Sequence, residues 1–173
     1  MSADNFPAAL KLVLQSEGGN DDDPQDHGGR TSRGITQREY DAYCAQHELA
    51  DGDVWNASDA AIASIYHDDY WQPHCPDLPI GVDYVYFDTN VNAGPRQAVK
   101  TLQIAVSVDM DGEFGPVTLA AAQKADPKTT ILAMNAHRRA FYKTLNQPRF
   151  LKGWLNRVDF CETNALGMLT KGD

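Results

Sequence analysis

The sequence lacks any long hydrophobic run and has few positive charges. No segment approaches the roughly 20 consecutive apolar residues needed to span a bilayer. Residues 1–5 lack the basic and apolar parts of a signal peptide. The 15 Lys and Arg residues face 24 Asp and Glu residues, for a formal net charge of −9. Nucleic-acid binding needs clustered Lys and Arg, so we expect no nucleic-acid partner. From the missing hydrophobic run and signal peptide we expect no membrane span and synthesis in a cytoplasm.

The sequence is also poor in cysteine and in metal-binding patterns. Its three cysteines, Cys44, Cys75 and Cys161, cannot all pair and have no metal-ligand spacing, so we expect reduced, partly buried thiols. The five histidines have no His-x-x-x-His spacing, and the acidic residues between positions 21 and 26 do not follow the ligand order of an EF-hand. A Gly-x-Ser-x-Gly nucleophile motif is also missing. We therefore expect neither a metal nor a cofactor.

Helical patterns are abundant. Apolar residues recur at helical spacing from Phe6 to Leu14, and Gly18-Gly19 then ends the first helix. Residues 20–33 are rich in Asp, Gly, Ser and Pro, which is typical of a loop or short hairpin. Later helices are predicted after the caps Thr36 and Ser58, over 82–91, from 95, over 116–124, from 127 and around 150–167. The predicted fold is mainly α, with a small irregular or β-hairpin insertion after the first helix.

Two carboxyl groups follow the first helix. Glu17 continues the apolar stripe of Leu10 and Val13, where burial would raise a carboxyl pKa. Asp26 lies in a polar, Gly-rich loop, where it would stay ionised. Glycoside hydrolysis uses one protonated carboxyl group as the acid and a second, ionised group. Opposed environments of this kind assign the two carboxyl groups to these two roles. Position alone favours another interpretation, in which Glu17 pairs with an Arg and the Asp residues solvate a loop.

A resemblance changes this balance. Glu17-Gly18-Gly19 and the run from Asp23 to Thr36 resemble the signature of the glycoside hydrolase family 108 muramidases, found as phage endolysins and secretion-associated lysozymes. Ser32 stands where phage-type lysozymes carry Thr, with Thr31 beside it, and Asn20 stands where the family usually has Tyr. The similarity continues through blocks at 70–71, 87–95, 102–103, 111–118 and 150–158, and so covers nearly the whole chain.

The resemblance implies a lysozyme-like helical fold. It implies a catalytic segment over residues 1–80 and a peptidoglycan-binding-like helical segment over 81–173, packed as one globular unit. The implied reaction is hydrolysis of the β-1,4 bond between N-acetylmuramic acid and N-acetylglucosamine in bacterial peptidoglycan. Glu17 would be the proton donor and Asp26 the second carboxylate, while Thr31 or Ser32 would hold a nucleophilic water. We expect a bacteriolytic monomer that reaches the cell wall through a holin, as a phage endolysin does.

Three further residues are candidates for substrate binding. Asp88 and Asn92 lie four apart on one face of a predicted helix, where they would bind an N-acetyl group or sugar hydroxyl, or instead brace the next helix. Tyr86 would stack on a sugar or belong to the core.

Two other functions stay open. One is a non-catalytic peptidoglycan-binding or secretion factor, which the segment 111–118 suggests. The other is a lytic transglycosylase, which also uses one catalytic Glu but yields an anhydro product.

Overall fold

A computed structural model describes residues 5–21 and 29–170, without the side chain of Asp21. Most of these residues are helical, so the predicted mainly α architecture is confirmed. The helices are α1 (Phe6–Ser16), α2 (Gln37–Gln46), α3 (Asp59–Ile65), α4 (Val82–Ala93), α5 (Pro95–Ala105), α6 (Pro116–Lys124), α7 (Pro127–Thr144) and α8 (Pro148–Leu169).

The chain divides into two compact units. The N-terminal unit is Pro7–Tyr70, and the C-terminal unit is Trp71–Asp173 together with Met1–Phe6. The domain boundary proposed at residue 80, and the packing of both segments as one body, stay predictions.

A small antiparallel sheet follows α1 in the N-terminal unit, as the hairpin prediction required. Its strands, in spatial order, are β1 (Asn20–Asp21), β2 (Thr31–Ser32) and β3 (Ile35–Thr36). Ser32 pairs with Asn20 on one side and with Ile35 on the other. Gly34 lies in the β2–β3 turn at φ +81°, a conformation that glycine adopts without steric cost.

The predicted caps of α2 and α3 are present. Thr36 and Glu39 form the reciprocal capping box at the start of α2, and the Ser58 hydroxyl accepts from the backbone N–H of Ala61 at the start of α3. A short 3-10 helix, Val54–Asn56, lies between these two helices. The chain continues from α3 as a π-helix over Tyr66–Trp71, which the apolar spacing of residues 62–70 does not reveal.

The C-terminal unit is built around α4. This helix packs against α5, α7 and α8, and every residue from Val82 to Asn90 is buried. A proline in the first turn begins each of α5, α6, α7 and α8, because a proline there forfeits no helical hydrogen bond. In the described ranges, no helix is both long and apolar enough to cross a membrane.

Candidate active site

Glu17 lies at the first position after α1. Its backbone N–H still donates to the Val13 carbonyl over 3.0 Å, so the helical geometry extends to this residue. Ala9, Leu10 and Val13 bury the face of α1 that leads to it. Glu17 itself is half-buried. The helix therefore delivers a carboxyl group to the edge of the apolar stripe, where it keeps contact with solvent.

The carboxyl group of Glu17 packs against the β2–β3 turn. A Cβ atom placed on Gly34 would lie 2.9 Å from Glu17 Oε2 and 2.5 Å from Tyr66 Oη. Such distances are shorter than real Cβ contacts, so a side chain at position 34 would force the Glu17 carboxyl group and the Tyr66 hydroxyl to shift. The sequence includes Gly34 in a motif, but nothing in its spacing reveals this contact.

Two tyrosines of the π-helix complete the surroundings. Tyr66 is fully buried, and its hydroxyl donates to the Arg33 carbonyl over 2.8 Å. The Tyr70 hydroxyl donates to the carboxylate of Glu39. Burial raises the pKa of Tyr70 far above its ordinary value, and the charges of Glu39 and Glu17 raise it further. Tyr70 therefore stays protonated and serves as a hydrogen-bond donor.

Arg33 fixes the hairpin in place. Its backbone N–H donates to the Gly19 carbonyl over 3.2 Å, which ties the turn to the segment directly after Glu17. Its guanidinium donates to the Ala57 carbonyl over 2.5 Å and forms an ion pair with Asp59 at the start of α3. This role of Arg33 was not predicted from the sequence. The signal for it was the position of Arg33 directly before Gly34 in the run from Asp23 to Thr36.

Thr31 and Ser32 occupy β2. Ser32 is 1% exposed, and its Oγ accepts from Arg33 Nε at 3.4 Å. Thr31 is half-buried, and its carbonyl accepts from Trp55 Nε1 over 2.9 Å. Of the two, Thr31 has the side chain more open to a water molecule. Asp26 lies outside the described residues, so its role as second carboxylate stays a prediction.

Asp88 lies in α4 of the C-terminal unit and is fully buried. Arg138 of α7 and Arg157 of α8 each bind one of its carboxylate oxygens, the latter over 2.9 Å. Burial alone would raise the pKa of Asp88, but the two guanidinium groups hold it below its ordinary value. Asp88 therefore braces α7 and α8, and not the next helix as the sequence suggested, and almost no part of its side chain is left exposed for a sugar.

Asn92 and Tyr86 also lie on α4. Asn92 is partly exposed, and its Oδ1 accepts from the Tyr142 hydroxyl of α7. Tyr86 is 1% exposed, and its ring packs edge-on against the rings of His74 and Phe114. Burial thus favours the core role for Tyr86, because a buried ring cannot stack on a pyranose. Sugar binding by Asn92 stays a prediction.

In the described residues, the cysteines and the possible metal ligands form no further site. Cys44, Cys75 and Cys161 are free thiols and fully buried. Across residues 5–21 and 29–170, no group of three or more His, Cys, Asp or Glu side chains is placed to hold a metal ion.

A mainly helical chain with a small hairpin after its first helix, and a carboxyl group against that hairpin, has the lysozyme-like architecture. Residues 10–94 match the model of the family Glycosyl hydrolase 108, and residues 97–159 match that of a Predicted Peptidoglycan domain. The solved structure of Brucella abortus SagA is 35% identical, with 95% of each chain covered and a TM-score of 0.80. A comparison with curated proteins gave no match. The chain belongs to the glycosyl hydrolase 108 family, which confirms the resemblance and supports a peptidoglycan-hydrolase-like role.

Proposed function

We propose that this protein hydrolyses the β-1,4 bond between N-acetylmuramic acid and N-acetylglucosamine in peptidoglycan, with Glu17 as the general acid. The observation that carries the proposal is the placement of the Glu17 carboxyl group. It lies at the end of an apolar helix face, against the turn at Gly34 and beside the hydroxyl of Tyr66. The peptidoglycan-related match at residues 97–159 supports the substrate class.

The surroundings of Glu17 suit a proton donor to a glycosidic oxygen. The hydrogen bond to Val13 fixes its backbone, and the packing against Gly34 and Tyr66 restricts its carboxyl group on one side. The residue stays partly exposed, so a substrate can reach it. A positioned acid of this kind contributes about 10²- to 10⁴-fold to the rate, provided that it lies within hydrogen-bond reach of the leaving oxygen.

The second half of the reaction requires an ionised group or an activated water. We assign this role to Asp26, with Thr31 or Ser32 holding the water. Thr31 is the better candidate for the water because its side chain is less buried than that of Ser32. The separation of the two carboxyl groups would decide between retention and inversion. We further propose that the protein acts as a monomeric endolysin on the cell wall after release from a cytoplasm.

The test is release of reducing ends from purified peptidoglycan sacculi by the wild type and by Glu17→Gln. We expect the substitution to lower the rate by at least about 100-fold while the melting temperature stays near that of wild type. Glu48→Gln is a matched control, because Glu48 is an exposed acidic residue outside the site. Undiminished release by Glu17→Gln would refute the assignment.

Mass spectrometry of the released fragments separates the remaining alternatives. A hydrolase leaves a reducing N-acetylmuramic acid end, whereas a lytic transglycosylase leaves the anhydro form. Binding to sacculi without any release by the wild type would instead indicate a non-catalytic binding protein.

A further inference from the structure

Trp55 is a large aromatic side chain held rigidly at the surface of the N-terminal unit. It lies in the 3-10 helix Val54–Asn56 and is 37% exposed. Its indole Nε1–H donates to the Thr31 carbonyl over 2.9 Å, and its backbone N–H donates to Asp53 Oδ1 over 3.0 Å. Both N–H donors of this residue are therefore bonded, and the ring is fixed before any partner arrives.

Arg30 covers one face of the Trp55 ring. The centre of its guanidinium lies 3.6 Å from the ring centroid, a close cation–π contact. Asp53 binds the same guanidinium with both oxygens, at 2.9 Å from Nε and 2.5 Å from Nη2. The hydrogen bond from Trp55 and the contacts with Arg30 lower the pKa of Asp53, so the carboxylate stays charged and neutralises the arginine.

These contacts form an aromatic platform beside the candidate active site. The platform consists of the Trp55 ring and the ion pair Arg30–Asp53, whose charges neutralise each other. The bond from Trp55 ends on Thr31 in β2, three residues before Gly34, whose turn contacts the carboxyl group of Glu17. Because the chain folds back at Arg33-Gly34, Thr31 and Gly34 lie closer than the roughly 10 Å that three residues of extended chain would span. Neighbouring sugar rings of one glycan strand can bridge a distance of that size.

A rigid tryptophan that remains 37% exposed suits the apolar C–H face of a pyranose. Aromatic side chains offer a large contact area at a low cost in conformational entropy, and a preorganised ring loses little more on binding. Because Arg30 is paired with Asp53, the platform does not select for a charged ligand. An uncharged sugar ring matches it better than the ionised stem peptides of peptidoglycan do.

We propose that Trp55 forms a glycan-binding subsite, in which its exposed part packs on an N-acetylhexosamine ring of the strand that enters the candidate active site. This proposal rests on the proposed function, since the same strand carries the bond to be cleaved. In this role Trp55 contributes to binding of the sugar chain and takes no part in proton transfer.

The test measures binding of an N-acetylglucosamine oligosaccharide, which carries no peptide, by isothermal titration calorimetry in the Glu17→Gln background. We expect Trp55→Ala to weaken binding about tenfold, the scale of one well-packed aromatic contact. Trp55→Phe keeps a ring but loses the bond to Thr31, and we expect it to retain most of the affinity. Leu49→Ala is the control, because Leu49 is an apolar residue of the N-terminal unit that is 52% exposed and lies outside the residues matched by the peptidoglycan domain.

The two Trp55 variants separate stacking from a structural role. If Trp55→Phe lost as much affinity as Trp55→Ala, the bond to Thr31 would be the operative feature and the proposal would be overturned. The same conclusion follows if Trp55→Ala, shown to be folded by its melting temperature, binds as tightly as Leu49→Ala. Since binding is measured without turnover, these outcomes do not depend on whether Glu17→Gln abolishes release of reducing ends, which tests the proposed function by itself.

Discussion

Glu17 and Asp88 are both carboxyl groups that the sequence marks as candidates, but their surroundings differ in the features that determine a role. Glu17 is half-buried at the end of α1 and contacts the turn at Gly34. Asp88 is fully buried in the middle of α4 and neutralised by Arg138 and Arg157. The comparison shows that a carboxyl group near solvent, restricted on one side, is available for chemistry. A carboxyl group paired on both oxygens holds helices together.

Replacing the two groups should therefore produce opposite results. Glu17→Gln is expected to abolish release of reducing ends and leave the melting temperature unchanged. Asp88→Asn should instead destabilise the protein by about 3–5 kcal/mol, because it leaves two buried guanidinium groups without their anion. Urea denaturation measures this loss of stability. An Asp88→Asn variant that unfolds at the same urea concentration as wild type but no longer releases reducing ends would overturn the structural role assigned to Asp88.

Gly34→Ala tests the packing against Glu17. The φ of +81° and the close contacts with Glu17 and Tyr66 both oppose a Cβ atom at this position. We expect a loss of more than about 1 kcal/mol in stability, since alanine is strained at positive φ. We also expect a fall in kcat, because the carboxyl group must shift. Gly153→Ala, at a helical glycine with open space around it, is the control. Equal kcat values for both variants would count against the contact.

Tyr66→Phe removes a single hydroxyl. The Arg33 carbonyl then loses the bond donated over 2.8 Å, at a cost of about 1 kcal/mol for a partly buried hydrogen bond. We expect a modest loss of stability together with reduced activity, because the turn beside Glu17 loosens. Thermal unfolding and the rate of reducing-end release measure the two effects. A variant as stable and active as wild type would show that this bond does not position the hairpin.

The smallest predicted effect concerns pH. Burial lowers the pKa of His74, which stacks on Phe114 at 4.0 Å between ring centroids. A lowered pKa means that the unfolded state binds the proton more readily, so this contribution is complete above about pH 6.5 and declines as the pH falls below that value. His74→Phe should flatten the dependence of the melting temperature on pH in this window. A slope identical to that of wild type would exclude His74 as its source.

The sequence predicts those features that depend on neighbouring residues. Thr36, Ser58 and Asp126 cap helices because each hydroxyl or carboxylate meets an N–H three residues later. The position of Glu17 follows from the same short-range periodicity. The partners of Asp88 do not, because Arg138 and Arg157 are 50 and 69 residues away in the chain. Tyr66 and Arg33 are likewise 33 residues apart, and no local pattern predicts that a phenol will meet that carbonyl.

The three buried thiols give each unit its own built-in reporter of transient opening. Cys44 lies in the N-terminal unit, and Cys75 and Cys161 lie in the C-terminal unit. Burial raises the pKa of Cys75 well above its ordinary value and that of Cys161 to about 12, so both thiols are shielded and unreactive in the folded chain. An alkylating reagent can modify such thiols only when the surrounding helices open. The rate of alkylation at each cysteine, measured by mass spectrometry, would therefore reveal which unit opens more often. The N-terminal unit carries Glu17, and the C-terminal unit is stabilised by the ion pairs of Asp88.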